Sequence, residues 1–174
     1  MNNTGSIPQI DIAIIGAGPA GLAAAHAIGA SGLRTALFDK GRGAGGRLST
    51  RRGHGNSRLD HGCQFLTLGH ATNTAHLEPL IEDGTLMYWS PSTCGQVPEL
   101  PCSDPPWLIA SPTMNEVIKR LADPFSVQFN TRIDQLQRAH DGWTLLDEQR
   151  TVVTTAHVVI TAIPSPQAGE LLAP

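Results

Sequence analysis

Cysteine is scarce in this sequence: Cys63, Cys94 and Cys102 are odd in number and form no C-x-x-C pair. Neither a disulfide framework nor a zinc site is suggested by that, and a reducing, cytoplasmic location follows as the default. The seven histidines show no H-x-x-x-H or H-E-x-x-H spacing, so no metal is expected. Met1 to Ser6 has neither a cationic start nor an apolar segment behind it, which argues against a secretory signal. The most apolar stretch, Ile12 to Ala30, is interrupted by Gly16, Gly18, Pro19, Gly21 and His26, a poor membrane helix, and no membrane partner is expected. Excess positive charge is missing too: the net charge is −3, against a general nucleic-acid binder. Charged residues are only 16% and aromatics 5%, with 18 Gly and 13 Pro among 174 residues. Such a chain is globular and turn-rich rather than disordered, long enough for one ordinary domain with a real core. No internal repeat is visible.

What is present is concentrated between Ile10 and Arg47. The apolar run Ile10 to Ile15 reads as a strand buried on both faces of a parallel sheet, with Asp11 expected at its exposed end. Gly16-Ala17-Gly18-Pro19-Ala20-Gly21 follows, then an alanine-rich helix to Ala30 stopped by Ser31-Gly32. A second strand, Leu33 to Phe38, ends on Asp39. Gly16 permits the sharp turn off the strand, Gly18 leaves room for a diphosphate, and Gly21 lets the helix pack close to the sheet. Pro19 suits the first helical turn, and the helix N-terminus directs its free N–H groups and positive dipole end at a phosphate. Asp39 lies eighteen positions past Gly21, near the roughly 20 expected for an acid that accepts ribose hydroxyls. A strand before, a helix after and an acid at that distance are the contexts that turn a weak glycine motif into a dinucleotide site.

Six of the twelve cations follow closely: Lys40, Arg42, Arg47, Arg51, Arg52 and Arg58. Position after a phosphate site favours a binding role for Arg47; for Arg51 and Arg52 a solvated loop explains the charge equally well. Arg58 to Leu66 reads as a short strand with a glycine kink. His76 to Asp83 suits a helix, Leu86 to Trp89 a strand, and Pro91 to Pro106 a loop. Thr113 and Glu116 form a T-x-x-E capping box, and Met114, Val117, Ile118 and Leu121 recur at helical spacing. Short strands are expected at Ser126 to Phe129, Arg132 to Leu136, Trp143 to Leu146, Thr151 to Thr154 and Val158 to Ala162. The Asp141-Gly142 turn joins the second and third of these as a hairpin. The fold class is therefore α/β: a Rossmann-like dinucleotide-binding fold, of the kind that takes FAD or NAD(P), with a central parallel sheet, an antiparallel β-meander and part of an inserted lobe. Residues 1–68 with 107–174 are expected to form the binding domain, and 69–106 the start of the insertion.

Phe38-Asp39-Lys40, Gly45-Gly46-Arg47-Leu48-Ser49-Thr50 and Asp60-His61-Gly62-Cys63-Gln64-Phe65 together resemble renalase and its bacterial FAD-dependent relatives, within the flavin-containing amine oxidase superfamily. The likeness continues through Trp107 to Asn115, Asn130-Thr131-Arg132-Ile133 and Val159 to Pro166. It implies FAD as cofactor. Candidate contacts are Gly16, Ala17, Gly18, Pro19, Ala20, Gly21, Asp39 on the ribose, Lys40, and Gly45, Gly46 and Arg47 on the diphosphate. Gly62, Cys63 and Gln64 would lie beside the isoalloxazine, Ile133 would pair its backbone with adenine, and Ala162 would line the same pocket. His61 and Cys63 invite covalent flavin attachment or a nucleophile, but the Cys63 position in this family is usually a small filler and neither role is expected. The implied reaction takes a hydride from a dihydronicotinamide-like heterocycle or an amine, a small-molecule substrate, and passes electrons on to O2. No catalytic acid or base is nominated. Family members are much longer, with most of the substrate lobe and a late Gly-Asp motif in their second half, so a truncated chain is expected. The alternatives are a non-catalytic dinucleotide-binding module and an NAD(P)-dependent dehydrogenase.

Overall fold

The computed structural model describes residues 9–67, 75–89 and 107–173. In chain order its elements begin with β1 (Gln9–Ile15), α1 (Pro19–Gly29), β2 (Thr35–Phe38) and a 3₁₀ turn at Gly46–Leu48. β3 (Thr50–Arg52), β4 (Arg58–Asp60), β5 (Leu66–Thr67), α2 (Glu78–Glu82) and β6 (Leu86–Trp89) follow. The chain continues with β7 (Trp107–Ala110), α3 (Asn115–Ala122), β8 (Ser126–Gln128), β9 (Gln135–Ala139), β10 (Gly142–Leu146), β11 (Val152–Thr161) and α4 (Ser165–Leu172). Packing divides them into two units, Met1–Gly46 with Ala122–Pro174 and Arg47–Leu121. These divisions fall at other residues than the 68 and 107 read from sequence.

The first unit is built on a six-stranded sheet in the order β8-β2-β1-β11-β10-β9. β8, β2, β1 and β11 run parallel, while β10 and β9 are antiparallel additions. This is the expected mixed α/β architecture. β1 is central because Ile12 to Ile15 are all buried, as a strand covered on both faces must be. Ile14 and Leu37 are fully buried, each worth about 1.5–3 kcal/mol relative to exposure. One face gathers Ala13, Ile15, Ala36, Phe38, Ile133, Leu145 and Ala156.

Asp11 is less exposed than expected and has a partner. Its carboxylate accepts from the Arg34 N–H at 2.8 Å and from the Arg34 guanidinium at 3.0 and 3.3 Å, which fastens the start of β1 to the entry of β2. The Arg34 side-chain bond, then its backbone N–H, lower the Asp11 carboxyl pKa, and the same pairing raises that of Arg34.

Two strand readings in this unit are corrected. The segment expected as two strands, Thr151 to Thr154 and Val158 to Ala162, is one ten-residue strand, β11. Its first half pairs antiparallel with β10 and its second half parallel with β1, so a change of partner carries the strand through polar Thr155 and exposed His157. β9 begins at Gln135 rather than Arg132, because Thr131 donates to the Asp39 carbonyl at 2.9 Å and is held at the far edge of β2. β9 and β10 do form the expected hairpin, but its two turn residues are His140 and Asp141, because Gly142 already pairs with Ala139.

The second unit holds the β3–β4 hairpin, the sheet β5-β7-β6, α2 and most of α3. The single kinked strand read over Arg58 to Leu66 is instead β4 and β5, in different sheets. Met114, Val117, Ile118 and Leu121 are buried, the apolar stripe their spacing requires. Thr113 enters the first turn through its carbonyl, which accepts from the Glu116 N–H at 3.0 Å. α2 is shorter than its expected bounds, and the loop read over Pro91 to Pro106, with Cys94 and Cys102, lies outside the described residues. Among the described residues no helix is long and apolar enough to cross a membrane, and no group of three or more His, Cys, Asp or Glu could hold a metal.

Candidate dinucleotide-binding site

The ends of three neighbouring strands of the first unit converge on the glycine turn. Gly16 N–H donates to the Phe38 carbonyl at 2.8 Å, and Ala162 N–H donates to the Ile15 carbonyl at 2.8 Å. The turn therefore sits at the carboxyl edge of β1, β2 and β11, where ligands of open parallel sheets bind.

The three motif glycines are required for different reasons. Gly16 has φ +109°, and a Cβ there would stand 2.7 Å from the Ala162 carbonyl oxygen. A Cβ on Gly21 would overlap the Gly16 carbonyl oxygen. The protein's own backbone excludes side chains at both positions. Gly18 differs. Its φ of −85° and ψ of −176° are ordinary extended values, and a Cβ there would meet nothing nearer than the Gly46 Cα, at 4.0 Å. Folding leaves room for a side chain at residue 18.

That neighbour matters, because a Cβ on Gly46 would in turn lie 3.4 Å from the Gly18 Cα. Gly46 holds φ +51°, a left-handed conformation that favours glycine. The glycine turn and the Gly45-Gly46 loop thus face each other across bare backbone. α1 opens beside them with Pro19 as its first residue and Gly18 as a cap without a side-chain bond. Leu22 N–H is taken by the Gly18 carbonyl at 3.0 Å, while the N–H groups of Ala20 and Gly21 lie in the first turn with no side-chain cap. Uncapped donors at a positive helix end are able to receive an anion.

Asp39 is doubly held at the end of β2. Its Oδ2 accepts from Ala17 N–H at 2.7 Å and its Oδ1 from Gly41 N–H at 2.7 Å. A carboxylate offers about four lone-pair positions, so each oxygen keeps acceptor capacity for hydroxyls. Lys40 is exposed and its ammonium donates to Gln167 of α4 at 3.2 Å, a contact invisible to sequence reading. Ile133 has a buried side chain, and its peptide has no backbone partner among the described residues. Ala162 lies behind the turn, against Gly16 and Gly21.

The second unit carries the remaining nominated residues. Arg47 is exposed. A Cβ on Gly62 would overlap the Arg47 carbonyl oxygen, so the glycine is demanded by protein backbone whatever lies on its other side. Cys63 is a free, partly buried thiol that donates to the Phe65 carbonyl at 3.0 Å, and Gln64 is exposed. Phe65 stacks on Trp107, with centroids 4.1 Å apart and planes 8° from parallel. Asp60, to which no role had been given, accepts from the Thr50 hydroxyl at 2.5 Å and from Met114 N–H at 3.1 Å. It ties the hairpin to the start of α3. Its one signal in the sequence was its place at the head of the Asp60 to Phe65 stretch that carries the family resemblance.

The family model for an NAD(P)-binding Rossmann-like domain matches residues 14–78. Among solved structures, putrescine oxidase bound to putrescine is similar with a TM-score of 0.68 and 16% identity, over 94% of this chain and 60% of that one. A candidate protoporphyrinogen oxidase from Exiguobacterium sp. 255-15 is similar with a TM-score of 0.70 and 14% identity, over 96% and 62%. An oxidised steroid monooxygenase bound to NADP gives 0.54 and 20%, over 89% and 26%. The chain spans about three fifths of the length of the two oxidases. At these identities the likeness is one of fold.

Proposed function

We propose that this chain is the FAD-binding portion of a renalase-like flavin oxidoreductase, with residues 69–106 opening its substrate lobe. The observation that carries the reading is the contrast among the glycines. Gly16 and Gly21 are required by folding, whereas Gly18 is bare with space around it and faces the equally bare Gly46. Two stretches of bare backbone lying close against each other, beside an uncapped helix N-terminus, suit a diphosphate laid across both. The fold likeness to two oxidases supports a flavin in particular.

In this reading Gly16 to Gly21 and Gly45-Gly46 hold the diphosphate through backbone N–H groups, and Arg47 adds charge and a planar donor fork. Asp39 takes the ribose hydroxyls, kept in place by Ala17 and Gly41. The Ile133 peptide serves the adenine edge, and Gly62, Cys63 and Gln64 the isoalloxazine. Bound FAD supplies the capacity to accept a hydride from a dihydronicotinamide-like heterocycle or an amine and to return the electrons to O2. The chain's own residues bind and orient.

Reconstitution tests this. Purified protein titrated with FAD should acquire stoichiometric flavin absorbance at about 450 nm, since the cofactor carries its own chromophore. NAD or NADP binding in place of FAD would favour the nicotinamide-dependent reading, which the family description supports. Binding without turnover of amines or dihydronicotinamides would leave a non-catalytic module.

A further inference from the structure

The β3–β4 hairpin carries a charge arrangement that the cofactor reading does not use. Its register sets Thr50 opposite Asp60, Arg51 opposite Leu59 and Arg52 opposite Arg58. Strand alternation puts Arg52 and Arg58 on one face, directly across from each other. Directly opposed like charges destabilise a sheet pair, and this is a hairpin of three-residue strands, marginal on its own. The nearest acid in sequence, Asp60, is engaged by Thr50 and Met114. Among the described residues neither Arg52 nor Arg58 has a carboxylate partner, and both are exposed. Their turn is closed from within, by Gly53 N–H on the Ser57 carbonyl at 2.9 Å and the Ser57 hydroxyl on the His54 carbonyl at 2.8 Å. These bonds hold the two strand ends, and with them the Arg52 and Arg58 backbones, side by side.

We propose that this hairpin is an anion site, in which Arg52 and Arg58 take one phosphate group between their guanidinium forks. Opposed Cβ atoms in a sheet stand about 4.5–5.5 Å apart, so two long side chains can converge on one tetrahedral group. Each planar fork offers two parallel donors to its oxygens. A dianion there turns mutual repulsion into two charge-assisted attractions. The ligand class is a phosphate monoester or free phosphate, distinct from the diphosphate assigned to the glycine turn.

Thermal melts of the full chain, with FAD present at saturation, test it. Sodium phosphate should raise Tm along a saturating curve, and sodium chloride of equal ionic strength should not reproduce it. Arg52→Gln should raise the half-saturating concentration about tenfold or more, as loss of one charge-assisted contact does. Arg58→Glu should melt higher than wild type without phosphate, because the repulsive pair becomes attractive, and should lose the phosphate response. A nucleoside 5′-monophosphate acting about tenfold below free phosphate would identify a phosphorylated metabolite as occupant; equal potency would identify free phosphate. Chloride reproducing the shift, an undiminished response in Arg58→Glu, or no response to either phosphate compound overturns the site. If the protein holds no FAD, the cofactor reading fails, and the Arg58→Glu comparison still decides this one.

Discussion

Gly18→Ala should separate binding from folding. The added methyl would lie in ordinary contact distance of Gly46, and residue 18 already holds an extended backbone that alanine adopts. Alanine caps a helix less well than glycine, at a cost of about 0.5–1 kcal/mol. The reduced freedom of the unfolded chain returns about 0.4–1 kcal/mol. The net change in stability is thus within about 1 kcal/mol, or about 2–4 °C in Tm for a chain of this size. The same methyl intrudes where the diphosphate would meet bare backbone. Displacing one or two charge-assisted bonds at about 1.5–3 kcal/mol each weakens FAD binding by roughly tenfold to twenty-thousandfold. Urea denaturation followed by flavin fluorescence titration measures both quantities on one preparation. Gly18→Val, bulkier at the same place, should abolish retention. Wild-type FAD affinity in Gly18→Ala would refute the placement of the diphosphate, and a collapsed fold would refute the claim that folding leaves room there.

Gly21→Ala should behave oppositely, losing about 1–3 kcal/mol or more in urea from overlap with the Gly16 carbonyl, as overpacking does. Asp60→Ala leaves the Met114 N–H and the Thr50 hydroxyl without their acceptor and should cost about 1–3 kcal/mol, read from a urea midpoint at unchanged slope. For Asp11, a folded pKa below the ordinary aspartate value means that its stabilisation is present above the unfolded pKa and is lost as pH falls through the folded one. Wild type and Asp11→Asn should therefore differ in Tm near neutrality and converge in acid; a constant difference across that range would refute the Arg34 pairing as its cause.

Much of the fold was legible because it rests on local signals. Ile10 to Ile15 is a short apolar run too continuous for a surface strand, and glycine, proline and acid follow at fixed spacing. Met114 to Leu121 displays its buried stripe openly. The failures share one cause, which is that the deciding contact lies far away in sequence. β11 continues through Thr155 and His157 only because β10 hands it to β1. The single strand read over Arg58 to Leu66 divides because Asp60 is claimed by Thr50 and Met114 while Gly62 packs on Arg47.

The chain alone determined which residues could turn, cap and line a diphosphate site, since those properties belong to single side chains and their spacing. Only the tertiary structure decided that Gly18 and Gly46 face each other, that Lys40 is engaged by Gln167, and that Arg52 opposes Arg58. Proximity across a sheet or between loops is set by strand register and packing, which no local stretch of sequence encodes.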